Sequence, residues 1–360
     1  MNPLRRASSI SRYSISLGCL FGVAFCAAQH STHPIADQFV SFQIPGSLFT
    51  GPAAINNRMT VTGTYVSTTG VQTGFVRRFE GAIAAFTVPG SGQTYPLAIN
   101  DAGEIAGSYH QALSGGPSLC FVRSPDGSIT TFTPATSNGS AVVTGINERG
   151  EVVGYYTDDF STFSTEYGFI RRRDGVVTAI AVAGSAKTQI TGINALGEVT
   201  GWYLKSPEIA GFVRTAQGKV TTFDLGTALL PSGMNDLGSV TGYYNLPPDS
   251  NWNHDFIRTR DGDTTTFTPP GTLWTGFLGL NDSGVIAGNY VQSPTPTNTA
   301  SYFGFVRLPG GQFSTIAPES GWQTMVTGIN NLGAITGYYY NVTGPGAFGF
   351  LRLPTAVARR

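Results

Sequence analysis

Seven copies of one asparagine motif, a Phe-x-Arg motif behind each, and a spare strand near the N-terminus together predict an all-β fold. The fold expected is a seven-bladed β-propeller of four-stranded antiparallel blades, closed by an N-terminal strand that completes the last blade. The first motif, Gly-Ile-Asn-x-x-Gly-x-Ile/Val-x-Gly-x-Tyr, places its Asn at Asn56, Asn100, Asn147, Asn194, Asn235, Asn281 and Asn330. The spacing averages about 46 residues, the length of one four-stranded blade. The second motif supplies Phe75/Arg77, Phe121/Arg123, Phe169/Arg171, Phe212/Arg214, Phe256/Arg258, Phe305/Arg307 and Phe350/Arg352.

Each repeat holds four short strand-like runs. In the fourth they are Gln189–Asn194, Glu198–Tyr203, Gly211–Arg214 and Val220–Leu225. Asn-x-x-Gly between the first two fits a type I turn followed by a glycine in the left-handed region. Asp126-Gly127, Asp174-Gly175 and Asp261-Gly262 fit hairpin turns between the third and fourth. A looser Thr-x-Phe-x-x-Pro-Gly pattern ends the fourth run, best seen at Phe86–Gly90 and Phe267–Gly271. Outside residues 1–28 no segment keeps a 3.6-residue period.

The seventh repeat stops after its third run, at Phe350-Leu351-Arg352. A run matching the absent fourth strand, Phe39–Gly46, precedes the first Asn motif. Pairing the two closes a ring and removes its free edges. An open β-solenoid is the alternative, and it needs terminal caps that the sequence lacks.

These motifs resemble the extracellular HAF-type repeats of bacterial secreted proteins, over nearly all of residues 39–353. Met59 departs from the pattern at the turn glycine of the first copy, and Cys120 and Asp255 replace the glycine before Phe121 and Phe256. The resemblance implies a secreted repeat protein of unassigned activity and adds no catalytic residue. The paired glycines of kelch blades and the Trp-Asp ending of WD repeats are absent.

Composition bounds the rest. Glycine numbers 47 of 360 and charged residues only 12%, against about 25% in average domains. Lys plus Arg equals Asp plus Glu at 21 each, which gives no bulk attraction for nucleic acid. Residues 1–28 read as a signal peptide: Arg5, Arg6 and Arg12 precede an apolar run from Ile15 to Ala28. An uncleaved anchor and a lipidated Cys26 are the alternatives. Cleavage removes three basic residues and no acidic one, leaving a net charge of about −3 with Cys120 alone of the three cysteines. A flexible stretch is expected over 29–37, the propeller over 38–354 and a tail over 355–360. The location expected is secreted, periplasmic or extracellular.

Positions identical in all copies read as scaffold. The Asn residues read as turn formers, and a calcium reading fails for want of carboxylates, as in Asn194-Ala195-Leu196-Gly197. The tyrosines Tyr65, Tyr109, Tyr156, Tyr203, Tyr244, Tyr290 and Tyr339 read as packing between blades, and the arginines as guanidiniums stacked on aromatic rings. Positions that differ read as site. The connections between second and third strands, His110–Leu119, Thr157–Tyr167, Asn245–His254 and Val291–Phe303, share one face with the blade-to-blade loops. They carry the ligand-binding candidates His110, Asp158, Asp159, Trp252, His254 and Tyr302, with Trp274 and Trp322 between blades. The opposite face, made of tight turns, is expected to be bare.

No Gly-x-Ser-x-Gly elbow, His-Glu-x-x-His motif or phosphate loop occurs. His110 and His254 can share a site only across a central channel, and Asp158 or Asp159 can pair with Glu166 for glycosidic chemistry. Three readings follow. The first is a monomeric, non-catalytic module that binds extracellular polysaccharide or a protein or peptide ligand, without cofactor or metal. The second is an extracellular hydrolase or lyase on polysaccharide or peptide. The third is a structural scaffold.

Overall fold

The computed structural model describes residues 38–113, 115–135, 138–226, 228–246, 254–269, 271–292, 301–344 and 346–354. The expected signal peptide, the stretch 29–37 and the tail 355–360 lie outside them. Among the described residues every helix or strand assigned is a strand, and no helix is long and apolar enough to cross a membrane.

Strand β1 (Phe39–Phe42) precedes six consecutive antiparallel sets of four. These are β2–β5 (Ser47–Ile55, Val61–Ser67, Gln72–Arg77, Ile83–Phe86) and β6–β9 (Gln93–Ile99, Ile105–Ala112, Gly115–Arg123, Ile129–Phe132). Next come β10–β13 (Ser140–Ile146, Val152–Thr157, Tyr167–Arg171, Val177–Ile180) and β14–β17 (Thr188–Ile193, Val199–Lys205, Glu208–Arg214, Val220–Phe223). Then follow β18–β21 (Ala228–Met234, Val240–Asn245, His254–Arg258, Thr264–Phe267) and β22–β25 (Thr272–Leu280, Ile286–Gln292, Ser301–Arg307, Phe313–Ile316). The last three strands are β26–β28 (Gln323–Ile329, Ile335–Tyr340, Ala347–Arg352), and β1 pairs antiparallel with β28 from Phe39↔Arg352 to Phe42↔Gly349. Single parallel bridges, Phe49↔Ala347 and Ile209↔Ala228, link neighbouring sets.

The repeat motif explains this regularity. The Phe of every Phe-x-Arg motif, Phe75 through Phe350, is at most 1% exposed. It lies under the glycine of Gly-x-Tyr on the strand beside it. At Gly201 a Cβ would stand 1.9 Å from the Gln189 carbonyl oxygen, so no other residue fits there. The Arg two places on stacks over the Phe of the preceding set's outer strand: Arg123 over Phe86, Arg171 over Phe132 and Arg258 over Phe223, each at 4.9 Å. Arg77 stacks over Phe42 of β1 in the same way, at 4.8 Å. The guanidiniums donate to the carbonyl of the residue that follows them, as Arg123 Nη1 does to Ser124 O at 3.3 Å, rather than to a neighbouring set.

The turn glycines between first and second strands have φ between +74° and +85°, as at Gly150 and Gly103. Met59, which stands in for the first of them, takes φ +57°. Each turn Asn does two jobs. Asn194 Oδ1 accepts from Leu196 N and Glu198 N, at 3.1 and 2.9 Å, closing its own turn. Its Nδ2 donates to the carbonyl of the next turn Asn, Asn235, at 3.5 Å. Asn56, Asn100, Asn147, Asn235 and Asn281 do the same to their successors, and Asn330 donates to Asn56 O at 2.9 Å.

Cys120 is buried, and burial pushes its thiol up to about 12 against a weak opposing bond from Ser108, so it is a packing residue.

Candidate functional site

Two of the aromatic candidates converge. Tyr302 lies near the start of β24, Trp322 just before β26, and the turn Asn341–Gly344 follows β27. The three segments wall a cleft of about 410 Å³. Trp322 is half-buried and held from behind by Tyr339 and Phe348, with ring centroids at 5.5 and 5.9 Å. Those two rings stack on each other at 5.7 Å. Tyr338 and Tyr340 stack at 6.3 Å, and Tyr340 Oη donates to Gln323 Oε1 at 2.9 Å. Asn341 Oδ1 accepts from Thr343 N and Oγ1, both at 3.0 Å, which shapes the third wall.

The electrostatics are as distinctive as the shape. No Asp, Glu, Lys, Arg or His lines this cleft among the described residues. Burial raises the Tyr338 and Tyr340 phenols above their usual range, with the Tyr302 hydroxyl adding a further push, so both stay neutral at physiological pH. Flat, backed aromatic rings beside hydroxyls and amides suit a ligand with an apolar face and a polar edge.

The other candidates lie elsewhere. His110 sits on β7 opposite Ser118, edge-on to Tyr95 at 5.6 Å, with Nδ1 3.4 Å from Pro117 O. The expected loop His110–Leu119 is mostly hairpin, because β7 and β8 pair as far as Ala112↔Gly115. His254 opens β20 and lies on Tyr244 at 5.2 Å. The cavity that the first strands of the sets enclose, about 260 Å³, is lined by residues such as Leu97, Thr144, Gly192 and Met234 and holds no titratable group among the described residues. Neither histidine reaches it, so the shared site across a channel is corrected: each ring is held by pairing and packing in its own set.

The carboxylate pair is corrected as well. Asp159 is used in its own turn, accepting from Ser161 Oγ, Thr162 Oγ1 and Ser161 N at 2.6, 2.8 and 2.9 Å. Those bonds, Ser161 first, hold it below the usual carboxylate range. Glu166 is buried and accepts from Lys187 Nζ at 3.1 Å and Gln189 Nε2 at 2.5 Å. Asp158 is half-buried at the end of β11, next to this turn. Trp274, on β22, pairs with Val291 of β23 and lays its ring over Gly276, where a Cβ would stand 2.5 Å from it. Trp252 lies outside the described residues. Gln323 and Asn341 join the aromatic cleft without having been singled out in the sequence; their place beside Trp322 and after Tyr340 was the available signal.

No family model matches the chain, and no curated protein matches it. Solved structures do. Virginiamycin B lyase from Staphylococcus aureus aligns with a TM-score of 0.57 at 12% identity, over 88% of this chain and all of that one. The β-propeller domain of the Trilobed protease from Pyrococcus furiosus aligns at 0.58 and 10% identity, over 89% of this chain and all of that one. The fold is a β-propeller. Puromycin hydrolase aligns at 0.58 and 14% identity, over 89% of this chain, which spans 55% of that one. At such identities the likeness carries the fold alone.

Proposed function

We propose that this chain is a secreted, seven-bladed propeller of the HAF-repeat kind that binds extracellular polysaccharide without turning it over. Blade count and closure are supported by the pairing of β1 with β28, by Arg77 stacking on Phe42 as its counterparts do elsewhere, and by the Asn330 bond to Asn56. Secretion is supported by the basic and apolar pattern of residues 1–28.

The observation that carries the binding reading is the cleft between Tyr302 and Trp322, aromatic on its faces and free of charge in its lining among the described residues. A sugar ring stacks its apolar face on such a wall and turns its hydroxyls to groups like Gln323 and Asn341. The absence of a charged lining disfavours a peptide with ionised side chains. Incubating the purified chain with cell-wall and matrix polysaccharides, and scoring both retention and new products by mass spectrometry, tests this. Retention without products supports it. Products favour the second reading, an extracellular hydrolase or lyase, which two neighbours' names, puromycin hydrolase and virginiamycin B lyase, keep in view. A result with no retention and no products removes the polysaccharide assignment.

A further inference from the structure

The face made of tight turns is not bare. Between β2–β5 and β6–β9 it opens a cleft of about 450 Å³, walled by the Asn56 turn, the β4–β5 hairpin and the start of the β8–β9 turn. Three guanidiniums line it, from Arg58, Arg78 and Arg123, against one carboxylate, Glu80. Phe79, on the same hairpin, is 51% exposed at its rim.

Two of the three charges are unpaired. Arg58 and Arg78 are exposed, and neither side chain has a partner among the described residues. Arg123 lies on Phe86, gives Nη1 to Ser124 O and feels the Asp126 carboxylate of its own hairpin; its buried Nε finds no acceptor, as in Arg77, Arg171 and Arg307. Several other exposed arginines do have partners. Arg173 meets Glu104 at 2.7 Å, Arg260 meets both Glu198 oxygens at 2.7 and 2.8 Å, and Arg149 Nε reaches Ala195 O at 2.9 Å. Arg58 and Arg78 bring two unpaired like charges to one cleft beside Arg123, which favours an anion joining them, and guanidiniums hold oxyanions in two-point geometry. The cleft is far larger than one tetrahedral anion and falls in the size range of ligand sites. Phe79 adds a flat face for a ring.

We infer that the Arg58–Arg78–Arg123 cleft is a second binding site, for an oligosaccharide carrying carboxylate or sulfate groups. Oxyanions sit against the guanidiniums and a sugar ring rests on Phe79. The site is independent of the Tyr302/Trp322 cleft, which it does not touch.

Calorimetric titration of the purified chain tests it, with trigalacturonate, a sulfated disaccharide, maltotriose, sodium sulfate and triaspartate as probes. The expected result is saturable binding of trigalacturonate or of the sulfated disaccharide, at least tenfold tighter than maltotriose and weakened by added salt. Which of the two binds tells carboxylate from sulfate. Arg58→Ala/Arg78→Ala, both at exposed positions, weakens it at least tenfold with unchanged melting, Glu80→Gln tightens it, and Trp322→Ala leaves it alone. No binding of either sugar, equal binding by the double variant, or sulfate or triaspartate binding as tightly as the sugars overturns the inference.

Discussion

The side-chain amide of Asn330 donates to the backbone carbonyl of Asn56 at 2.9 Å, across 274 positions of sequence. That bond does between the last repeat and the first what six others do between neighbours. It is buried, and Asn330 Oδ1 also accepts from Leu332 N and Ala334 N at 3.1 and 2.8 Å. Asn330→Ala removes three bonds and strands their partners, at a cost of roughly 1 kcal/mol each. Chemical denaturation is expected to show a loss of about 3 kcal/mol. Asn330→Asp, which keeps the acceptor and loses the donor, should retain part of it. An unchanged midpoint for both would remove this bond from the account of stability.

Asp255 gives stability a pH dependence. It is fully buried where most copies of the repeat have glycine, with Oδ1 accepting from Thr275 Oγ1 at 2.7 Å and Oδ2 unpaired. Burial pushes it up to about 7. An unfolded aspartate titrates near 3.9, so between about 4 and 7 the native state holds the proton and the unfolded state has released it. Stability therefore falls as pH rises through that window, by up to about 4 kcal/mol, and levels off above it. Asp255→Asn should flatten that part of the curve and raise the melting temperature at pH 8. Parallel pH profiles of the two proteins would contradict this.

Met59 is held at φ +57°, a conformation that costs a side-chain-bearing residue about 1–2 kcal/mol. Its side chain recovers some of that against the cluster around Ile55, Val61 and Phe75. Met59→Gly restores the residue that the other six turns use and should raise stability by up to about 1 kcal/mol. A clear fall in melting temperature would mean that the packing outweighs the strain.

The aromatic cleft makes a separable prediction. Trp322→Ala should weaken polysaccharide retention about tenfold or more, since a stacked aromatic is worth on the order of 1–2 kcal/mol. Trp322 also packs on Tyr339 and Phe348, so Trp322→Phe serves as a folded control and should recover part of the binding. Trp274→Ala, at a ring seated on its own strand, should alter melting and not retention. Affinity chromatography on the retained polysaccharide checks all three.

Much of the fold is legible in the motif. The Asn-x-x-Gly spacing marks the first turn of each set, and Phe-x-Arg marks the strand whose Phe is buried and whose Arg stacks on the set before. Their order even exposes the displaced strand Phe39–Phe42. The site is less legible. His110, Asp159, Glu166 and His254 are chemically suggestive residues, and each is held by strand pairing, turn bonds or packing in its own set. Arg58 and Arg78 stand on the face of tight turns, where the repeated motif hides them. They occupy positions that vary between copies, the same criterion that singled out Tyr302 and Trp322.

By itself the sequence determined the strands, their turns and the order in which the sets follow one another. Those depend on interactions within one repeat or with its neighbour, and seven copies repeat them. Tertiary structure decided which variable residues share a cleft. Tyr302 and Trp322 meet because the end of one set faces the end of the next, and Arg58 meets Arg123 across 65 positions for the same reason. The shared motifs set how neighbouring sets pack, but not which variable residues that packing brings together.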